Sequence, residues 1–517
     1  MEDPTVDEVR TQESVFTFLS DPLRHPDVLR IDTHAASVFL EGDRALKIKR
    51  AVRFPFLDYS TLAKRKAACD EEIRINRQFA PQIYRRVVPI TRASDGSLAI
   101  DGNGTPVEFA IEMTRFDERQ TIDHLAEAGP LDPGLVDAIA DAIAASHKVA
   151  PRVPEKPWVQ SIPGLIEGYI LAFRDAACFP PDDIEEFGQA SQSAFSRLQS
   201  LLEQRGSRGH VRRCHGDLHL ANVVLIDSKP VLFDAIEFDD RIASIDVLYD
   251  LAFPLMDLLR YGRQSAANGL LNRYLAMTPI DNLDALTALP LLMSMRSAVR
   301  AHVLLARSSA DKAKNIEAAR AYFDLARTLI QPSRPNLIAI GGLSGTGKSI
   351  LARGLAPCVA PQPGAVLLRS DVLRKQLLGV KETDRLPASA YHPEASERVY
   401  EELVQRTIRV LSQEHSVVVD AVFAREAERA AIRGAAREAG VRFIGFFLVT
   451  DLATRQSRVG SRQADASDAT PEVAGLQESY NIGTVDCWAI IDASGTPEAT
   501  LTHCQTRIAD LRPAEAS

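Results

Sequence analysis

The stretch CHGDLHLANVVL, residues 214–225, packs a His, an Asp and an Asn between an arginine-rich approach and an apolar run. Moving a phosphoryl group asks for little covalent help. It needs metal ions, a positioned hydroxyl and neutralised charge. Asp217 is suitably placed to orient or deprotonate a hydroxyl, and Asn222 to bind Mg²⁺. Twelve residues beyond Asn222, in VLFDAIEFDD, an apolar strand ends at Asp234, a second ligand for the same ions. The plainer alternative is a loop whose polar groups cap one another. The Asn and the second Asp at these offsets argue against it.

Outward from this motif, residues 35–50 read as two short strands around a Glu-Gly-Asp turn, 61–79 as a helix and 107–114 as a strand. Helical patterns follow at 135–150, at 184–204 and repeatedly from 245 to 330. Strands followed by a helical block predict an α+β domain with a small and a large lobe. With HGD where eukaryotic protein kinases carry HRD, residues 30–330 resemble the aminoglycoside phosphotransferase family, which includes choline and homoserine kinases. The resemblance implies a bilobal protein-kinase-like fold, with Asp217 as catalytic base and Asn222 and Asp234 as metal ligands. It makes His215 a brace of the loop and Asp250, in YDLA, structural; His219 has no assigned role. ALKIK supplies Lys47 for the α- and β-phosphates, with Lys49 as its rival on the same strand face. CDEEIRINR supplies the helical partner, Glu72 or else Glu71. The glycine-rich G-x-G-x-x-G is missing, since the segment reads THAASVFLEG. A weak cover over the phosphates implies low ATP affinity or turnover, and leaves a folded but inactive kinase-like domain as the alternative.

Two prolines in QPSRPN make 331–336 the expected boundary, giving domains 1–330 and 331–517. Beyond it, LIAIGG, AVLLRS, SVVVDA and VRFIGFFLV read as strands alternating with helices, which predicts an α/β domain with a parallel sheet. GLSGTGKS (342–349) matches GxxxxGK[ST] between a strand and a helix. Gly342, Ser344, Gly345, Thr346 and Gly347 would turn backbone N–H groups toward phosphates. Lys348 would reach the β- and γ-phosphates, and Ser349 would hold Mg²⁺. Asp420, ending SVVVDA, is expected in the same metal shell. Asp371 is a candidate acceptor of a hydroxyl proton and Arg374 a steadying cation, three residues apart on one helical face. The segment 451–468 carries Arg455, Arg458 and Arg462, a candidate arginine-bearing lid over the triphosphate. Arg425, Arg429, Arg433 and Arg437 form a stripe expected to be solvated, with only Arg425 near the site. Residues 337–490 resemble the small P-loop kinases, among them phage-type polynucleotide kinase, gluconate kinase and chloramphenicol phosphotransferase. That likeness implies ATP use and makes Asp371 the base.

The chain has 517 residues, too many for one core. A net charge of −9 argues against a general nucleic-acid coat or a membrane-surface protein. Six cysteines without CxxC spacing suggest neither a zinc site nor a disulfide framework, and fit a reducing cytoplasm. The acidic, polar start MEDPTVDEVRTQ is not a secretory signal. The most apolar window, LYDLAFPLMDLL (248–259), is interrupted by Asp250, Pro254 and Asp257. The expectation is a cytoplasmic, bifunctional phosphotransferase using ATP and Mg²⁺, passing the γ-phosphate to small-molecule hydroxyls at two sites. Its rival is a single active P-loop kinase, for small molecules or for the 5′-hydroxyl end of a nucleic acid, regulated by a nucleotide-binding first domain. Asp239 and Asp240 of EFDD are weak candidates for a cationic-substrate pocket.

Overall fold

The computed structural model describes residues 4–54, 57–306, 312–461 and 467–510. Arg462 and the PAEAS tail lie outside them. The chain divides into two compact units, Met1–Leu165 with Gln199–Asp257, and Ile166–Leu198 with Leu258–Ser517.

The first unit holds a six-stranded antiparallel sheet in the order Leu29–Asp32, Ala36–Glu41, Arg44–Lys49, Thr105–Thr114, Tyr84–Arg92, Leu98–Ile100. An N-terminal helix, Val6–Leu19, lays Val15, Phe16 and Leu19 over Phe39, Leu46, Ile48 and Val88 on one face. The helix Leu62–Asn76 lies on the other face, where Cys69 packs with Ile83, Tyr84 and Ile111. Below the sheet, Val223–Ile226 and Lys229–Leu232 form a hairpin. Its two turn residues, Asp227 and Ser228, both have positive φ (50° and 61°). That is the primed turn that matches the twist of paired strands. The interrupted apolar window folds as one buried helix, Val247–Arg260, with Pro254 inside it.

The second unit contains the predicted parallel sheet, in the order Val366–Arg369, Val417–Asp420, Asn336–Gly342, Arg442–Val449, Trp488–Asp492. The fifth strand, Trp488–Asp492, was not expected from the pattern. Ile338, Ile340, Leu351, Val418 and Phe446 lie at the centre of the core. The compact units do not divide at 331–336, the boundary read from the prolines. The helices Gln264–Met277, Leu289–Ala306 and Lys312–Ile330 fold with the parallel sheet, because they bury apolar faces and amide side chains within that unit. Among the described residues no helix is long and apolar enough to cross a membrane.

Candidate active sites

In the strand Arg44–Lys49 side chains alternate between faces. Leu46 and Ile48 face the N-terminal helix. Lys47 and Lys49 therefore emerge together on the other face. Lys47 Nζ lies 2.8 Å from Glu72 Oε1 and 2.7 Å from Asp234 Oδ1. Lys49 pairs with the second oxygen of Glu72 and with Glu237. Glu71 instead pairs with Arg74 at the surface. Burial alone would favour neutral amines, but Asp234 and Glu72 outweigh it and hold Lys47 well above the ordinary lysine value. Burial would also raise Glu72, yet the two lysines bring it down to about 2. Burial holds Glu237 above its ordinary value despite Lys49.

The hairpin explains the twelve-residue offset. Val223 stands opposite Leu232, so Asn222 and Asp234 flank the open end of the ladder, and Phe233 N–H donates to Asn222 O at 3.0 Å. Asp234 sits at φ 60°, a left-handed conformation that Asp tolerates better than most residues. Its N–H donates to Tyr84 Oη at 3.1 Å. Asn222 Nδ2 donates to Asp217 O at 2.8 Å, tying the two functional candidates together.

The loop before Asn222 is strapped from below by the helix Val247–Arg260. The Asp250 carboxylate accepts the N–H groups of His215 (3.2 Å) and Gly216 (3.0 Å), and lies 3.1 Å from His147 Nε2. Two turns on, Asp257 accepts Leu220 N–H at 3.0 Å. The two aspartates that break the apolar pattern are thus the anchors of the loop. Gly216 has φ +87°, and a Cβ there would meet Ala243 Cβ at 2.8 Å. His215 Nε2 meets Phe233 O at 2.9 Å, and burial lowers its pKa, which suits a neutral brace. His219 Nε2 approaches Asp217 Oδ2 at 3.5 Å. Asp239 pairs with Arg241 and Asp240 with Arg213, so both EFDD acids are already engaged by cations.

In the second unit the loop Gly342–Gly347 runs from the central strand into the helix Lys348–Leu355. Gly345 has φ +89°, and a Cβ there would lie 2.5 Å from Arg455 O. Lys348 Nζ donates to Leu343 O at 3.0 Å. Ser349 Oγ donates to Asp420 Oδ2 at 2.6 Å. Ser344, Lys348, Ser349, Asp371, Arg374 and Asp420 line one cavity of about 930 Å³. Burial, reinforced by Asp420, raises the Asp371 pKa. Arg374 is buried, donates to Ala390 O at 2.6 Å and stacks over Tyr391 at 4.7 Å. It braces the cavity wall.

Arg458 donates to the carbonyls of Ala493 (2.8 Å) and Gly495 (2.9 Å) and lines a smaller cavity with Thr346 and Gly347. The structure thus sets Arg458 beside the last strand rather than in the wall of the large cavity. Arg455 is buried and paired with Glu478. Of the arginine stripe, Arg433 and Arg437 are exposed and Arg425 lines the large cavity, as expected, but Arg429 is not solvated. Arg429 is buried and donates to the carbonyls of Phe423, Ala424, Ile482 and Thr484.

Several contacts had no signal in the motifs. Asn76 exchanges two hydrogen bonds with Ala235, 2.7 and 3.1 Å, clamping the helix Leu62–Asn76 to the residue after Asp234. Glu237 is the partner of Lys49. Gln477 receives Ser344 N–H at 2.7 Å and donates to Ser344 Oγ at 3.0 Å. Each is a lone polar residue far in sequence from its partner. Glu237 lies in VLFDAIEFDD, within an acidic run, and Asn76 lies in CDEEIRINR, where only the glutamates drew a role.

A family model described as the phosphotransferase enzyme family matches residues 29–289, and one described as an AAA domain matches residues 337–480. An uncharacterised protein of Mycobacterium tuberculosis is 30% identical over 452 residues, covering 86% of this chain and 88% of that protein. A choline kinase structure from Cryptosporidium parvum is 10% identical, covers 60% of this chain and 94% of its own, and has a TM-score of 0.39. A gluconokinase structure from Sinorhizobium meliloti is 18% identical, covers 35% and 95%, and has a TM-score of 0.26.

Proposed function

The chain belongs to the phosphotransferase enzyme family, and from that premise we propose that it carries two ATP- and magnesium-dependent sites, each passing a γ-phosphate to a small-molecule hydroxyl. The observation that carries this reading is the assembled first centre, in which Lys47 touches both Glu72 and Asp234. In this reading Asp217 accepts the proton of the attacking hydroxyl. The Asn222 amide donates through Nδ2 to the Asp217 main-chain carbonyl at 2.8 Å and lies 3.4 Å from its carboxylate Oδ2, which holds Asp217 in register. Lys47, kept charged by its two acids, draws the α- and β-phosphates, and Glu72 holds it in place. At the second centre Asp371 is the base, and Lys348 neutralises the β- and γ-phosphates. The backbone from Gly342 to Gly347 cradles the phosphates. Arg374 shapes the acceptor wall, and Arg458 serves the nucleotide from the smaller cavity.

The donors fit magnesium. Asn222 with Asp234, and Ser349 with Asp420, offer hard oxygens with no thiolate or imidazole among them. The Ser349–Asp420 contact of 2.6 Å supports the second pair. An ion bound there would neutralise charge on the phosphate groups. The functional modules are proposed as 1–330 and 331–517, and the compartment as the cytoplasm.

A second reading is favoured by one feature. The turn between the first two strands, where a phosphate cover belongs, is closed on itself, with Ala36 N–H donating to Thr33 Oγ1 at 3.0 Å. On that reading the first domain binds nucleotide and regulates, and only the P-loop site catalyses. Transfer from γ-labelled ATP into sugars, amino alcohols, aminoglycosides and oligonucleotides separates the two. If Asp217→Ala and Lys348→Ala each abolish a different product, two sites work. If Asp217→Ala changes nothing while Lys348→Ala removes all transfer, the regulatory reading holds. Labelled oligonucleotide would make a nucleic-acid 5′-hydroxyl the acceptor.

A further inference from the structure

We propose that the helix Gln264–Met277, which lies inside the segment matched by the phosphotransferase family, is a working part of the P-loop site, with Asn272 and Arg273 as its positioning residues. This rests on the reading of residues 342–349 as a phosphate-binding loop.

The strand Val366–Arg369 is an edge of the parallel sheet, and it delivers Asp371 two residues after its end. An edge strand presents unpaired N–H and C=O groups. Here one asparagine stands in for the missing neighbour. Asn272 Oδ1 accepts Leu367 N–H at 2.7 Å, while its Nδ2 donates to Ala365 O at 3.2 Å. A primary amide offers this donor-and-acceptor pair, the same pair a peptide group offers. Buried Asn268, one turn earlier, adds a bond to Ala365 O at 3.0 Å.

The next residue extends the contact to the chemistry. Arg273 Nη1 lies 3.3 Å from Glu382 Oε2, and Glu382 Oε1 lies 3.6 Å from Arg369 Nη1. Arg369 is buried, with Nε 3.4 Å from Asp420 Oδ2 and Nη2 3.3 Å from Ser349 Oγ. One turn of helix therefore fixes the strand edge, and through Glu382 it also sets the guanidinium that touches the Ser349–Asp420 pair. Removing Arg273 takes one cation from Glu382 and so strengthens its pull on Arg369, away from that pair. Movement of this helix is thus felt at the second site.

The test uses the full chain. Arg273→Gln and Glu382→Gln alter partly exposed side chains, so folding is retained, and thermal midpoints check this. For the transfer that Lys348→Ala abolishes, Arg273→Gln should lower kcat about threefold to tenfold with KM for ATP unchanged. The double variant should lose no more than Glu382→Gln alone, because the arginine acts through the glutamate. Hydrogen exchange gives a readout independent of turnover. Arg273→Gln should speed exchange at the amides of 381–386, and Asn272→Ala at Leu367. Wild-type kcat in Arg273→Gln, losses that multiply in the double variant, or unchanged exchange at these amides would overturn the proposal. Transfer that survives Lys348→Ala would overturn the P-loop reading instead, and the exchange arm would still decide this one.

Discussion

Two carboxylates carry opposite burdens. Asp371 is half-buried, and burial with Asp420 nearby raises its pKa above the ordinary 3.8. A raised value suits a base that must take up a proton. It also means that the nucleotide-free folded state binds a proton more tightly than the unfolded chain, so stability is lost as pH rises through this range. Asp371→Asn should therefore abolish P-loop transfer by roughly 10³-fold, yet raise the thermal midpoint of the nucleotide-free protein at neutral pH. The wild-type rate should fall on the acid side at a pH above the ordinary aspartate value. Glu72 is the converse. Its folded pKa, about 2 against an ordinary 4.5, makes its contribution fully present above 4.5 and lost as pH falls toward 2. Glu72→Gln leaves the buried Lys49 and the half-buried Lys47 short of an acid. It should cost about 3 kcal/mol at pH 7, and denaturant titrations should show the deficit shrinking across that acid window.

At the scale of elements, the hairpin Val223–Leu232 sets the distance between Asn222 and Asp234, and its turn is chemically imperfect. Ser228 adopts φ 61°, where a side chain is strained. Ser228→Gly should add about 1 kcal/mol to stability in urea unfolding and leave the Asp217-dependent rate unchanged. The strand Arg44–Lys49 shows a different economy. Its period-two alternation places two lysines on one acid, so that the helix Leu62–Asn76 is held to the sheet by Glu72, and to the residue after Asp234 by Asn76. The helix Val247–Arg260 spends two aspartates, a residue type normally excluded from so apolar a segment, on the backbone of the loop that carries Asp217.

On the scale of the molecule, the parallel sheet depends on residues outside 331–517. A fragment beginning at 331 lacks Asn268 and Asn272 and exposes the Val366–Arg369 edge. It should self-associate in size-exclusion chromatography at concentrations where the full chain elutes as one species. The proline-rich stretch 331–336 marks where one chain pattern ends. It does not mark where the packing divides.

What the sequence determined by itself was whatever is local. Glycine and lysine spacing in GLSGTGKS, the offsets among Asp217, Asn222 and Asp234, and the alternation of strands and helices after 336 all follow from short-range backbone geometry, and the structure contains them. The tertiary structure alone decided the rest. Lys47 and Lys49 share a face, so which of them meets Asp234 turns on where along the strand the distant hairpin end falls, and whether Glu72 or Glu71 faces them turns on which side of the helix the sheet covers. That Arg429 is buried, that Asn272 completes a sheet edge, and that Arg458 sits beside the last strand are matters of long-range pairing. A single polar residue looks alike in sequence whether water or a distant peptide group will satisfy it, and only the folded chain supplies that partner.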